Sequence, residues 1–281
     1  MPKVRDVSKT SLEKGREYGI FSSDIRVLLA KELNLISPAD VLLHMDDEIP
    51  ADSPYFSNFA RLLKGEPVEY IVQQAKFLQY PLYVDNRVLI PRGETEELVA
   101  NISELIYDYY DPRNYLVVAD IGTGSGCIAI GLKSIGKNWI VTASDVDEGA
   151  LEVAKKNFDD LGFRIQTLHG PSLKPYINAR MNLDIIVSNP PYILNDDEVQ
   201  ESVKQYEPHK ALYLDKNNSV YEDIFRDYKK VKKGTLLMCF EIGYDLEDYL
   251  TDLMDRYLED YEYKFIKDLN GLTRFLFVFL H

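Results

Sequence analysis

Two short segments of this sequence carry residue types and spacings that can do chemistry. The first is Asp120-Ile121-Gly122-Thr123-Gly124-Ser125-Gly126, which follows an apolar run and precedes a helical one. Glycines at alternate positions let backbone turn sharply and approach a ligand, because no side chain stands in the way. The spacing is G-x-G-x-G rather than the G-x-G-x-x-G of pyrophosphate loops, and no lysine follows as in a P-loop. Asp145 ends the next apolar run about twenty residues on, where an acid accepts hydrogen bonds from ribose hydroxyls. Strand, glycine loop, helix, strand and acid in that order point to an adenosine-bearing ligand without a diphosphate, S-adenosylmethionine. The expected cofactor-binding residues are Gly122, Thr123, Gly124, Ser125, Gly126 and Asp145. Asp147 is a second candidate for the ribose, but Asp147-Glu148-Gly149-Ala150 reads better as the cap of a helix.

The second segment is Ser188-Asn189-Pro190-Pro191-Tyr192, at the end of the apolar run Leu183–Ser188. Two prolines cannot continue a central strand, so they form a stiff loop whose carbonyls can face outward. Asn189 offers an acceptor and donors, and Tyr192 offers a flat ring. That set suits a planar group bearing an –NH2. The Asn189 oxygen and the Pro190 carbonyl accept its two N–H bonds while Tyr192 stacks on its face. Asn189, Pro190 and Tyr192 are therefore the expected catalytic residues, with Pro191 joining them in substrate binding. Asn189 is expected to touch the cofactor as well.

The elements that hold these segments alternate. Strands at 115–121, 139–144, near 163–168, 183–188 and 235–242 are separated by helices at 94–110, 147–160, 219–233 and 245–260. Such alternation means a doubly wound α/β sheet, mostly parallel. Two last strands, 261–267 and 273–280, share a short Asn270-Gly271 turn, so the final strand should run antiparallel to its neighbour. Before them, residues 1–75 read as a small helical domain. Ser22-Ser23-Asp24 precedes Ile25, Val27, Leu28, Leu29 and Leu33, which fall on one helical face behind a Ser cap, and Ser37-Pro38 opens another helix. Residues 76–90 read as a β-hairpin connector turning at Asp85-Asn86. The expected domains are thus 1–75, the connector 76–90, and a catalytic domain 91–281.

The composition narrows the function. The chain has 281 residues, 46% of them hydrophobic, enough for a sizeable core. Lys and Arg number 32 against 46 Asp and Glu, a net charge of −14. That field repels a nucleic-acid backbone, and no Lys/Arg-rich arm counters it. Cys127 and Cys239 are too few for a disulfide framework, and His44, His169, His209 and His281 are scattered, so no metal site is expected. No signal segment and no apolar run long enough to span a membrane is visible, which points to a cytoplasmic protein. Arg92, Glu94 and Glu96 read as a cap and ion pair at the next helix, with a share in the substrate pocket as the alternative. Glu207 could approach the site, although a structural pairing is favoured.

At these residues the sequence resembles a known family. Asp120–Ile130 (DIGTGSGCIAI) and Ser188–Ile193 (SNPPYI) are similar to the HemK/PrmC release-factor glutamine methyltransferases. So are Arg61–Ile71, Val88–Val99 (VLIPRGETEELV), Tyr206–Leu212, Glu241-Ile242-Gly243 and Lys267–Arg274 (KDLNGLTR). Gly93 departs from the proline usual after LIPR, and Gly170-Pro171-Ser172-Leu173 departs from the family's Gly-Asp-aromatic stretch on the adenine side. The resemblance implies a Rossmann-like class I methyltransferase domain behind a helical substrate-recognition domain. It implies methyl transfer from S-adenosylmethionine, leaving S-adenosylhomocysteine, to the N5 amide nitrogen of a glutamine. The acceptor would lie in the Gly-Gly-Gln loop of peptide chain release factors, met by a monomer. A ribosomal-protein glutamine, a nucleic-acid base and a non-catalytic cofactor-binding adaptor remain as competing readings.

Overall fold

The computed structural model describes residues 1–109, 115–195 and 199–281. They divide into two compact units: Met1–Gln74 with Gln200–Tyr206, and Ala75–Val199 with Glu207–His281. The hairpin segment thus groups with the larger unit, and a short later segment groups with the helical one.

The first unit is helical, with α1 (Val4–Glu17), α2 (Ser22–Glu32), α3 (Pro54–Leu62), α4 (Val68–Val72) and, from later in the chain, α9 (Glu201–Tyr206). Ile25, Leu28 and Leu29 of α2 do form one buried face, packed with Val4, Tyr55 and Leu62. Gly15 lets α1 and α2 approach; a Cβ there would stand 3.3 Å from side-chain carbons of Ile20 and Ile25. Ser22 is not the cap. Burial of that face sets the frame of α2, whose first residue is Ser22 behind Phe21, and no side chain caps it. Ser37 does cap, accepting from Ala39 N at 3.2 Å, but the segment it opens, Pro38–Leu43, is a 3-10 turn.

The second unit opens with the antiparallel strands β1 (Ala75–Phe77) and β2 (Tyr80–Leu82). Their turn is Leu78-Gln79, not Asp85-Asn86. Leu78 takes a left-handed φ of 54°, and its N–H is satisfied by Glu96 Oε1 at 2.6 Å. Asp85 instead closes a separate turn, accepting from Arg87 N at 3.1 Å, and residues 83–92 hold no strand.

A sheet of seven strands follows: β3 (Val117–Ile121), β4 (Ile140–Asp145), β5 (Gln166–His169), β6 (Leu183–Ser188), β7 (Lys232–Glu241), β8 (Tyr261–Lys267) and β9 (Thr273–Leu280). The order is β5-β4-β3-β6-β7-β9-β8, parallel through β7, with β9 antiparallel to both neighbours. The turn before β9 is held by Asp268 Oδ1, which accepts from Asn270 N at 2.9 Å and Leu272 N at 3.0 Å.

Alternation along the strands assigns two cores. Leu237 and Cys239 of β7, with Phe275 and Phe277 of β9, face α5 (Gly93–Tyr109), α6 (Cys127–Ile135) and α7 (Glu148–Asp160). Met238, Phe240, Leu276 and Val278 face the other side, with α8 (Lys174–Asn178), α10 (Val220–Asp227) and α11 (Glu247–Tyr257). The helix expected over 219–233 is shorter, because a 3-10 turn at Tyr228–Lys230 leads into β7, whose Lys232 already pairs with Leu183. Among the described residues, no helix is long and apolar enough to cross a membrane.

Candidate active site

Sheet register brings the two chemical segments together. Ile121 pairs with Ser144 on one side and with Ser188 on the other. The next residues, Gly122, Asp145 and Asn189, therefore leave three adjacent strands at one level. This is the crevice where strand order reverses, the usual ligand position in open α/β sheets. A cavity of about 530 Å³ lies there. Its walls include Gly122–Ser125, Asp145, Ser188–Pro191, Gly170–Ser172, Ile90–Arg92, Thr95 and Pro208–Ala211.

The glycine loop is built from unusual backbone. Gly122, Gly124 and Gly126 have φ of 71°, 54° and 83°, which side-chain-bearing residues rarely adopt. A Cβ on Gly122 or Gly124 would meet nothing within 4 Å, so these two leave the cavity side open. Gly126 differs: it is the N-cap residue of α6, does not line the cavity, and leaves no room for a Cβ, which would stand 2.5 Å from Phe158 Cε1. The loop is tied down from both ends. Gly122 N and Thr123 N both donate to Ser144 O at 2.9 Å. Asn157 Nδ2 donates to Ser125 O at 2.8 Å and to Tyr83 O at 2.9 Å, joining the loop to the chain after β2. Asn157 sits mid-helix without a motif around it, so pattern reading passes over it.

Asp145 is oriented by backbone. Its Oδ2 accepts from Gly124 N at 3.0 Å and its Oδ1 from Asp147 N at 2.9 Å. Burial raises its pKa above the ordinary carboxylate value, against those two N–H bonds. A carboxylate has about four lone-pair sites, so capacity for a ligand hydroxyl remains. Asp147 is the cap of α7, accepting from Gly149 N at 2.8 Å and Ala150 N at 3.2 Å.

Beneath the loop, Asp120 Oδ2 accepts from Thr123 Oγ1 at 2.6 Å and Ala129 N at 3.0 Å, while Oδ1 has no partner. Burial pushes the Asp120 pKa up to about 7, and burial does the same for Glu241, also to about 7. Both folded values lie above the unfolded ones, so the native state binds more protons between about pH 4 and pH 7. Stability should therefore fall as pH rises through that window. Asp120→Asn should flatten part of the fall. Urea midpoints at a series of pH values test this; a parallel curve for the variant would count against it.

Tyr192 is half-buried and does not line the cavity. Its hydroxyl donates to Glu241 Oε1 at 3.2 Å, and the Arg274 guanidinium lies 5.7 Å from its ring centroid. Arg92 pairs with the buried Glu207, not with Glu94 or Glu96. Glu207 also accepts from Ile90 N at 3.2 Å, and the chain on either side of this pair lines the cavity. Glu96 serves the hairpin turn. The Cys127 thiol beside the loop is pushed up to about 12 by burial and by Asp120, so it supplies no thiolate.

Comparison with known proteins matches this layout. Residues 99–213 match the family described as "Methyltransferase small domain", and residues 14–72 match "PrmC N-terminal domain". The fold is similar to a methyltransferase from Pyrococcus furiosus (TM-score 0.51, 18% identity, 79% of this chain and 97% of that one). It is also similar to the catalytic domain of hMettl16 (TM-score 0.53, 18% identity, 71% and 74%). Sequence similarity is much closer to release factor glutamine methyltransferases. That of Enterococcus faecalis is 36% identical over 83% of both chains, and that of Staphylococcus aureus 36% over 84% of both. That of Streptococcus pneumoniae is 37% identical over 78% of this chain and 77% of its own. With identity of 36–37% to these proteins over more than three quarters of each chain, the chain belongs to the release factor glutamine methyltransferase family.

Proposed function

We propose that this protein methylates the N5 amide nitrogen of a glutamine in peptide chain release factors, in their Gly-Gly-Gln loop, using S-adenosylmethionine. The carrying observation is the single level at which Gly122, Asp145 and Asn189 leave the sheet, around one cavity. The cavity suits the cofactor. Gly122 and Gly124 present open backbone, and Asp145 offers two fixed oxygens to ribose hydroxyls. Gly170, Pro171 and Ser172 line the wall we assign to the adenine, without the acid usual in the family.

The bound cofactor supplies an electrophilic methyl group on a sulfonium, which leaves as a neutral thioether. An amide nitrogen is a poor nucleophile because its lone pair is delocalised into the carbonyl. Asn189 Oδ1 and the Pro190 carbonyl would each accept one of its N–H bonds, orienting the nitrogen and favouring localisation of that pair. Positioning supplies much of the acceleration. No strong base is needed beforehand, since the alkylated nitrogen becomes acidic and passes its proton to water. The helical unit, Met1–Gln74 with Gln200–Tyr206, serves as the grip on the release factor in the cytoplasm.

Incubation with methyl-labelled S-adenosylmethionine and, in parallel, a purified release factor, ribosomal proteins and nucleic acid, then mapping of the label, tests the reading. Label on the Gly-Gly-Gln glutamine is expected; label only on a ribosomal protein or on nucleic acid overturns it. Asp145→Ala should lose ribose hydrogen bonds and weaken cofactor binding by about 1–3 kcal/mol, roughly ten- to a hundredfold. Calorimetric titration of the folded variant decides this, and unchanged affinity would remove Asp145 from the site.

A further inference from the structure

We propose that Thr95 and Glu241 are positioning residues that fix the polarity of the Asn189 carboxamide, holding its nitrogen inward and its oxygen toward the acceptor amide. The proposal rests on the function proposed above and deepens it. An asparagine side chain has nearly the same shape in either orientation, and the reversed one would point donors at an acceptor that itself donates. Something must choose between the two. Asn189 Nδ2 lies 3.3 Å from Thr95 Oγ1, and Thr95 Oγ1 lies 2.7 Å from Glu241 Oε2. A threonine hydroxyl has one hydrogen. Spent on an acceptor-only carboxylate, it leaves the hydroxyl oxygen free only to accept, so Asn189 must present its NH2 there. Asn189 Oδ1 is then the atom left for the ligand.

The three residues come from separate elements whose placement is built in. Ser188 of β6 pairs with Phe240 of β7, so Asn189 and Glu241 end neighbouring strands at the same level. Thr95 sits in the first turn of α5 and lines the cavity, whereas Glu241 does not line it and is fully buried. A buried carboxylate is costly, and this one is spent on the tetrapeptide. Oε2 reaches Asn189 through Thr95, and Oε1 takes the hydroxyl of Tyr192. The groups facing Glu241 are Thr95 and Glu94 from α5, Tyr192, Arg274 from β9, Tyr221 from α10 and Cys127 from α6. Arg274 is the cation of that set.

The relay has two states. With Glu241 ionised, the order of donation runs Asn189 to Thr95 to Glu241. With Glu241 protonated, its O–H can donate to Thr95, the threonine hydrogen turns toward Asn189, and the carboxamide flips. Burial holds the Glu241 pKa near 7, where the change would be read out.

The test is single-turnover methyl transfer to a release factor, at saturating cofactor, from about pH 6 to about pH 9. The wild type should gain rate as pH rises through the Glu241 transition. Thr95→Val should lose about ten- to a hundredfold in the transfer step, the scale of one positioned hydrogen bond, with cofactor affinity retained. Thr95→Ser should restore the rate. Glu241→Gln should be slow and lack the rise with pH, since its NH2 donates to Thr95 as the protonated acid does. Thr95→Val combined with Asn189→Ala should be no slower than Asn189→Ala alone. If Glu241→Gln does not fold, the valine, serine and double variants still decide. Wild-type transfer with an undiminished Thr95→Val rate overturns this inference and leaves the function standing. Absence of wild-type transfer to any release factor glutamine overturns both.

Discussion

Asn189→Ala should slow methyl transfer to the release factor glutamine by about 10²–10³, or roughly 2.7–4 kcal/mol, the effect of removing one preorganised hydrogen-bonding group from a dry site. Cofactor affinity should change far less, because Asp145 and the open faces of Gly122 and Gly124 stay in place. The size of the effect follows from where Asn189 stands. It is the first residue past β6, with both prolines behind it and Thr95 3.3 Å from its nitrogen. Single-turnover kinetics under saturating cofactor separates the transfer step from binding. A near-normal transfer rate would make the loop a structural turn and return the acceptor role to another residue.

Gly126→Ala should destabilise the second unit by about 2–5 kcal/mol, the sum of left-handed backbone strain and overpacking. The glycine has φ of 83°, and a Cβ there would come within 2.5 Å of Phe158 Cε1. Phe158 is buried on α7 among the first core cluster, so its ring has nowhere to retreat. Gly124→Ala makes the contrast. It meets no atom within 4 Å, so only the strain of a φ of 54° falls on the fold, while the new methyl group protrudes toward the cavity. Urea midpoints and cofactor titration on the two variants should therefore cross. Gly126→Ala loses stability first, and Gly124→Ala loses binding with a smaller change in stability. Equal midpoints for Gly126→Ala and the wild type would show that Phe158 can yield.

The strands were legible where their composition left one choice. Leu183–Ser188, Tyr261–Lys267 and Thr273–Leu280 begin and end where their apolar runs and flanking turns say they do. The Asp147 cap was legible too, because a carboxylate followed by Glu-Gly-Ala has a local partner in the next backbone N–H groups. The hairpin turn stands seven residues before the site the sequence favours, because Asp85-Asn86 has ordinary turn chemistry, whereas Leu78 has none. Its left-handed backbone is maintained by Glu96, 18 residues away. The partner of Arg92 is hidden from the sequence for the same reason. Glu94 and Glu96 are near it in sequence, while Glu207 is 115 residues distant.

By itself, the sequence determined which residues could do the chemistry. A glycine triplet after a buried strand, an acid after the next strand and Asn-Pro-Pro-Tyr after a later one are local patterns with local physical reasons. It also determined the doubly wound class, since alternating apolar runs and amphipathic helices have few other ways to bury both faces. Tertiary structure decided how those residues stand to one another. The pairing of Ile121 with both Ser144 and Ser188 puts Gly122, Asp145 and Asn189 at one level, and no spacing along the chain encodes that register. Packing alone assigns Gly126 to Phe158, Tyr192 to Glu241 and Thr95 to the gap between Glu241 and Asn189. The reason is physical. Backbone propensity acts over a few neighbouring residues, whereas a hydrogen bond between side chains depends on where the sheet and the two cores bring distant segments.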